Sequence, residues 1–271
     1  MLHAQLFLPA LPSLSRSASG RRCSVRRVGG WGLALMFLLT AGCTASAPVE
    51  AQFGEEAASA DARLVADWAF RSGDHGSRSV VLVDKKNAKV YVFDPSGKLQ
   101  SAAPALMGSA IGDHTVPGVG DKPIAQVKPS ERTTPAGRFV AEAGTNASGE
   151  DVVWVDYDAA VSMHRVRPIV KAERRLERLA SSTPKDNRIS YGCINLQVKF
   201  YENVLSPAVR RTGAVVYVLP ETQPAARWFG LHEASTTKAD QGPAAASRAS
   251  VAGPVRHGLR PADDARAAAN L

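Results

Sequence analysis

Ser79-Val80-Val81-Leu82-Val83-Asp84-Lys85-Lys86-Asn87-Ala88-Lys89-Val90-Tyr91-Val92-Phe93 is the stretch whose reading decides the fold class. Its first five residues form a compact apolar run, Lys85-Lys86-Asn87 is a polar break, and Lys89 to Phe93 alternates as a half-buried strand does. Asp94-Pro95-Ser96-Gly97 follows as turn chemistry, with proline fixing φ and glycine allowing a positive one. Leu99 to Met107 returns as a third strand. The pattern is an antiparallel meander, unlike the strand–helix alternation of a doubly wound sheet. Arg138 to Ala143 and Asp151 to Tyr157 predict two further strands around the turn-rich segment 144–149, and Ala214 to Leu219 predicts a buried closing strand.

Helices enter this pattern as insertions. Lys171 to Leu179 is rich in helix formers but carries like charges at i,i+4 (Glu173 with Glu177, Arg174 with Arg178), so local ion pairs do not explain it. It reads as an inserted surface elaboration, tacked down by Leu176 and Leu179, or as a lid. Val198 to Leu205 predicts an amphipathic helix with Pro207 near its end. Between the meander and the later strands, residues 108–132 form a long glycine- and proline-rich loop. Gly118-Val119-Gly120 fails as a phosphate cradle because Pro123 stands where a third glycine is required and no helix follows. His114 has no partner at metal-ligand spacing and reads as a solvated loop residue.

The chemistry concentrates in Arg188-Ile189-Ser190-Tyr191-Gly192-Cys193-Ile194-Asn195-Leu196. A cysteine directly after a glycine suits a thiolate nucleophile, which needs a sharply turning backbone, N–H groups for a developing oxyanion and a nearby base. The alternative is a small buried hydrophobe. Of the three cysteines, Cys23 and Cys43 lie in or beside a candidate export signal, which leaves Cys193 as the single thiol of the remaining chain. A leftover thiol in an exported protein points to reactivity.

Ser190-Tyr191-Gly192-Cys193-Ile194-Asn195 resembles the S/T-H-G-C-x-N/R signature of L,D-transpeptidase (YkuD-type) catalytic domains, and Thr134-Pro135-Ala136-Gly137-Arg138-Phe139 resembles their upstream T-P-x-G-x-F element. Met163-His164 falls where the base-bearing pair of that family would lie. The resemblance covers about residues 79–220. Tyr191 departs from the usual histidine, and the 29 positions from His164 to Cys193 exceed the usual gap. The fold implied is mainly β with helical insertions, an L,D-transpeptidase-like mixed β-sandwich carrying a cysteine loop. The activity implied is acyl transfer on peptidoglycan stem tetrapeptides, at the bond between diaminopimelate and D-alanine, with no metal or organic cofactor.

In that chemistry an ion pair of Cys193 with His164 supplies the nucleophile. The N–H groups of Cys193 and Gly192 hold the oxyanion, Tyr191 offers a hydroxyl, a carbonyl near Arg165 orients the ring, and Ser190 and Asn195 support the loop. A hydrolase, either L,D-carboxypeptidase or amidase, and an inactive peptidoglycan-binding module are the alternatives.

The ends of the chain speak to location. Arg16, Arg21, Arg22, Arg26 and Arg27 precede any acidic residue, and the apolar run Trp31 to Leu39 is too short for a bilayer span, which needs about 20 apolar residues. Residues 1–42 therefore read as a signal peptide. Leu39-Thr40-Ala41-Gly42-Cys43 resembles a lipobox, with Cys43 lipidated, and Ala45-Ser46-Ala47 is a rival cleavage site. Expected is a cell-envelope, periplasmic protein, lipid-anchored through Cys43. The formal net charge of +8 falls to +3 without those five arginines, and no basic stripe interleaves with aromatics, so nucleic acid is not an expected partner. Residues 43–78 read as a solvated spacer in preference to a short docking helix (Ala62, Val65, Ala66, Ala69, Phe70), 79–221 as the catalytic domain, and 222–271, with 14 alanines from position 223 on, as a disordered tail apart from docking of Trp228 and Phe229. The oligomeric state is open.

Overall fold

The computed structural model describes residues 49–231; the segment 1–42 expected as a signal peptide, Cys43 and residues 232–271 lie outside the described residues. Among the described residues, nine strands form one sheet: β1 (Ser79–Asp84), β2 (Lys89–Phe93), β3 (Leu99–Gly108), β4 (Gly137–Thr145), β5 (Asp151–Asp156), β6 (Val161–Arg165), β7 (Arg188–Ser190), β8 (Ile194–Leu196) and β9 (Ala214–Val218). Their order is β2-β1-β9-β4-β5-β6-β8-β3-β7, and β2 also pairs with β3, closing the sheet into a barrel-like ring. The architecture is mainly β with helical insertions.

The apolar run of β1 is continuous because both of its faces are covered. Val81 and Val83 point into the ring with Val90, Val92, Val216 and Val218, where Phe200, Tyr201, Leu205 and Val209 fill the interior. Val80 and Leu82 point the other way and join Tyr91, Phe93, Val215 and Tyr217 beneath a helix, α1 (Ala60–Arg71). This helix corrects the reading of 43–78 as a solvated tether. Its apolar stripe is buried, and each fully covered Val or Phe contributes about 1.5–3 kcal/mol. Ser59 caps it, accepting from Ala62 N at 3.1 Å while its hydroxyl donates to Asp84 Oδ2 at 2.7 Å, so the cap also ties α1 to the end of β1.

Other expectations shift in detail. The segment after β8 runs through α3 (Val198–Phe200), a π-helical turn (Tyr201–Leu205) and α4 (Ser206–Thr212). Pro207 thus lies within the helix, just past the π turn that widens the backbone, and not near its end. The insert divides into a 3-10 turn (Lys171–Glu173) and α2 (Arg175–Ala180), separated by Arg174 at φ 51°. Beyond β9, α5 (Ala225–Trp228) and Leu231 pack onto the sheet, with Trp228 against His114 and Phe229 against Tyr217. The ordered region therefore runs past the expected boundary at 222, and His114 has a ring partner.

A buried cation holds the loops at one end of the ring. Lys85 is fully buried, and its Nζ donates to Gly112 O (2.6 Å), Asp113 Oδ1 (2.9 Å) and Thr134 O (2.9 Å), with Glu221 Oε1 at 3.5 Å. Asp113 also accepts from the backbone of Glu221 and Thr222, and Arg188 pairs with Glu221. Burial pulls the Lys85 ammonium below its ordinary pKa, and the hydrogen bond to Asp113 opposes that pull. Removing one member of such a set leaves charge buried without compensation. Lys85→Met is expected to lose about 3–5 kcal/mol of stability in urea unfolding; a loss below about 1 kcal/mol, as for a surface pair, contradicts this role.

Candidate functional site

The cysteine motif lies where β6 and β8 run parallel. Met163 is opposite Ile194, His164 opposite Asn195 and Arg165 opposite Leu196. Continuing that register by one residue sets Ser162 beside Cys193, and Ser162 Oγ is 3.7 Å from Cys193 Sγ. Side chains two positions apart on a strand share a face. Ser162 and His164 from β6 thus stand on one face with Cys193 and Asn195, offset by about 6.6 Å of strand rise between the sulfur's level and the imidazole's. Met163 and Ile194 turn to the opposite face, into the core.

The turn before Cys193 needs its glycine. Gly192 has φ 135°, and a Cβ there would come within 2.9 Å of Thr133 O. Gly108 is equally constrained, since its Cβ would fall 2.3 Å from Arg132 O. Thr134 bolts the two together: its hydroxyl donates to Gly192 O (2.7 Å) and accepts from Gly108 N (3.0 Å). The first residue of the T-P-x-G-x-F element therefore fixes the loop that carries the cysteine, and Lys85 in turn holds the Thr134 carbonyl. Ser190 closes the loop from inside, donating to Cys193 O at 2.5 Å and accepting from Gly192 N at 3.1 Å. The Gly192 N–H is thereby engaged, which departs from its expected availability as an oxyanion donor.

The sulfur and the imidazole are both enclosed. Cys193 is 2% exposed and its thiol donates to Ala160 O at 3.5 Å. Burial pushes the thiol pKa up, against the lowering pull of the Ser162 N–H, its hydroxyl and the Arg175 charge. His164 is 4% exposed, and burial pulls its pKa down to about 4 despite a 2.8 Å hydrogen bond from Nδ1 to Arg165 O. The other ring nitrogen, Nε2, faces Asn195 Nδ2 at 3.3 Å. The resting pair is accordingly a neutral thiol and a neutral imidazole, in place of the expected ion pair. A neutral imidazole with a lone pair on Nε2 can take a proton; an imidazolium cannot.

Two further side chains belong to this cluster and were not singled out from the sequence. Ser162 is revealed only by the strand register. Arg175, from the insert, is 5% exposed and donates to Asn195 Oδ1 at 2.5 Å and to Glu173 Oε2 at 2.6 Å. Tyr191 lies under the Arg132 guanidinium, 4.0 Å from its ring centre. Tyr191, Arg175, Glu173, Val170, Ile169, Arg167 and Ile124 line a cavity of about 230 Å³ beside the cluster. Among the described residues, no three His, Cys, Asp or Glu side chains come together as metal ligands.

No family model matches the chain, and no curated protein matches it. Solved structures do. The catalytic domain of an Enterococcus faecium L,D-transpeptidase is 19% identical over 53% of this chain and 98% of that one, with a TM-score of 0.31. The helical cell shape determining protein Pgp2 from Campylobacter jejuni is 13% identical over 55% of this chain and 50% of its own, with a TM-score of 0.33. An L,D-transpeptidase from Mycobacterium smegmatis is 17% identical over 53% and 59%, with a TM-score of 0.30. Apart from the isolated E. faecium domain, the chain spans about half to three-fifths of the solved chains named here.

The depressed His164 pKa has a consequence for stability. Between the folded value near 4 and the ordinary 6.5, the unfolded chain binds the proton and the folded one does not, so stability falls as pH drops through that window. The full effect is about 3 kcal/mol. Urea unfolding at pH 7 and pH 4 is expected to show a larger loss for the natural chain than for His164→Gln. Equal losses contradict a neutral buried imidazole.

Proposed function

We propose that this protein is a cysteine-dependent L,D-transpeptidase of the bacterial cell envelope that acts on peptidoglycan stem tetrapeptides. The observation that supports the reading best is the shared face of β6 and β8, where His164, held by the Arg165 carbonyl at Nδ1, stands two positions along from Cys193. The order of the three sequence elements and the candidate export signal agree with it.

In this reading, substrate entry releases the Cys193 thiol from Ala160 O and the Asn195 amide from His164 Nε2, the thiol proton passes to Nε2, and Sγ attacks the carbonyl carbon of the diaminopimelate–D-alanine bond. The C–N bond breaks, the leaving D-alanine amine takes the proton from His164, and an acyl-thioester remains. An acceptor amine from a second stem then attacks the thioester, returning its proton through His164 and freeing the thiol. The Cys193 N–H serves the oxyanion, since Ser190 occupies the Gly192 N–H. Ser162 steadies the thiolate through its hydroxyl and backbone N–H.

Incubation of the full chain with purified disaccharide-tetrapeptide is expected to release D-alanine and to form cross-linked dimers. Cys193→Ala should abolish both, and His164→Ala should slow them by about 10²–10⁴-fold without unfolding the domain. Release of D-alanine without dimers makes the protein a hydrolase. Intact substrate in the presence of folded protein, with no acyl adduct by intact mass, leaves a binding module and overturns the enzyme reading.

A further inference from the structure

The insert between β6 and β7 does more than cover the surface. Arg175 is carried by α2, yet its guanidinium is enclosed and reaches the level of His164 and Asn195. Leu179 anchors the same short helix among Leu106 and Val166, while Leu176 stays exposed. Arg175 Nε is committed to Glu173, and Nη1 points at Asn195 Oδ1.

That second bond fixes an otherwise ambiguous group. A guanidinium has only donors, so the Asn195 atom facing it must be the carbonyl oxygen. The amide NH₂ must then face the other way, toward His164 Nε2 at 3.3 Å and Cys193 O at 3.4 Å. An NH₂ donor facing Nε2 requires that nitrogen to be unprotonated. The Arg165 carbonyl, 2.8 Å from Nδ1, requires a proton on Nδ1. The two requirements describe a single state of the ring, the neutral Nδ1–H tautomer. With the amide reversed, Oδ1 and the Arg165 carbonyl would both accept from the ring, which only an imidazolium satisfies.

We propose that Arg175 is a positioning residue that acts through Asn195, locking the amide so that His164 is kept neutral, its Nε2 accepting from Asn195 on the face that it shares with Cys193. This goes beyond the transpeptidase reading and does not rest on the identity of the substrate. It also gives the unusually long His164–Cys193 gap a purpose, because the extra residues deliver the arginine. The charges facing His164 are Arg175 and Arg167 from the insert and Glu150 from the turn before β5, with Cys193 the neighbouring titratable group. Arg175 and Arg167 disfavour the imidazolium and Glu150 favours it.

The test is ¹⁵N NMR of the His164 ring in the full chain, assigned by difference against His164→Gln. In the natural protein, Nε2 is expected to keep the shift of an unprotonated nitrogen down to about pH 5. Arg175→Met frees the amide and removes the charge, and His164 should then titrate at least about one pH unit higher. The acid limb of Cys193 alkylation should move with it. Arg175→Lys retains a cation and a donor for Asn195 and should restore the natural titration. Asn195→Asp keeps the partner of Arg175 but sets an acceptor against Nε2. It should raise the His164 titration even if Arg175→Met does not fold. Unchanged titration and tautomer in folded Arg175→Met, or in Asn195→Asp, overturns the proposal; lost activity alone, with His164 unaltered, marks Arg175 as merely structural.

Discussion

Parallel pairing of two short strands, β6 with β8, is the constraint on which the candidate site depends. Parallel strands need a long crossover, and here it comprises the insert, a 3-10 turn, β7 and the cysteine turn. Because side chains alternate strictly across a strand, one register decides which residues share a face, and a slip of one position would put Met163 beside the sulfur and His164 in the core. The burial of Met163 and Ile194 on the inner face makes that slip costly. Core packing thus fixes the geometry of the polar face, through aliphatic side chains that never touch it.

The cysteine loop is held by a second set of contacts that shares no atoms with the Cys193 sulfur or the His164 ring. Thr134 joins Gly108 to Gly192, Lys85 holds the Thr134 carbonyl, and Asp113 and Glu221 compensate Lys85. Each glycine lies where a Cβ would strike the backbone of the 132–134 segment. The T-P-x-G-x-F element is therefore explained without assigning it a catalytic group. Its threonine is a bolt between two backbones that approach too closely for any side chain.

Much of the fold is legible in the chain because burial leaves periodic marks. The unbroken run Ser79 to Val83 reflects a strand covered by α1 outside and by the helix after β8 inside; the neighbouring strand Lys89 to Phe93 is legible as a strand, but it is buried on both faces and not half-buried as its alternation suggests. Cys193 and His164 stand out by residue type and order. Ser162 and Arg175 do not. Ser162 becomes significant only through a pairing between segments about thirty positions apart, which no local pattern encodes. Arg175 sits in a run of charges that reads as one surface helix, but Arg174 takes a left-handed conformation and splits the run, so no single helical wheel describes which residue turns inward. The burial of α1 is hidden in the sequence for a related reason: its alanine-rich stripe is weakly apolar residue by residue, and its burial depends on a sheet face that the helix itself does not reveal.

The register that sets Ser162 beside Cys193 is open to direct test by cross-linking. Ser162→Cys, oxidised mildly in the folded protein, is predicted to form a disulfide with Cys193, read by peptide mapping as a joined pair lighter by two hydrogens. Met163→Cys should stay reduced, because that side chain faces the core. A disulfide from position 163 with none from 162 would mean that the strands pair one residue out of step, that His164 faces away from the sulfur, and that the site described here does not exist.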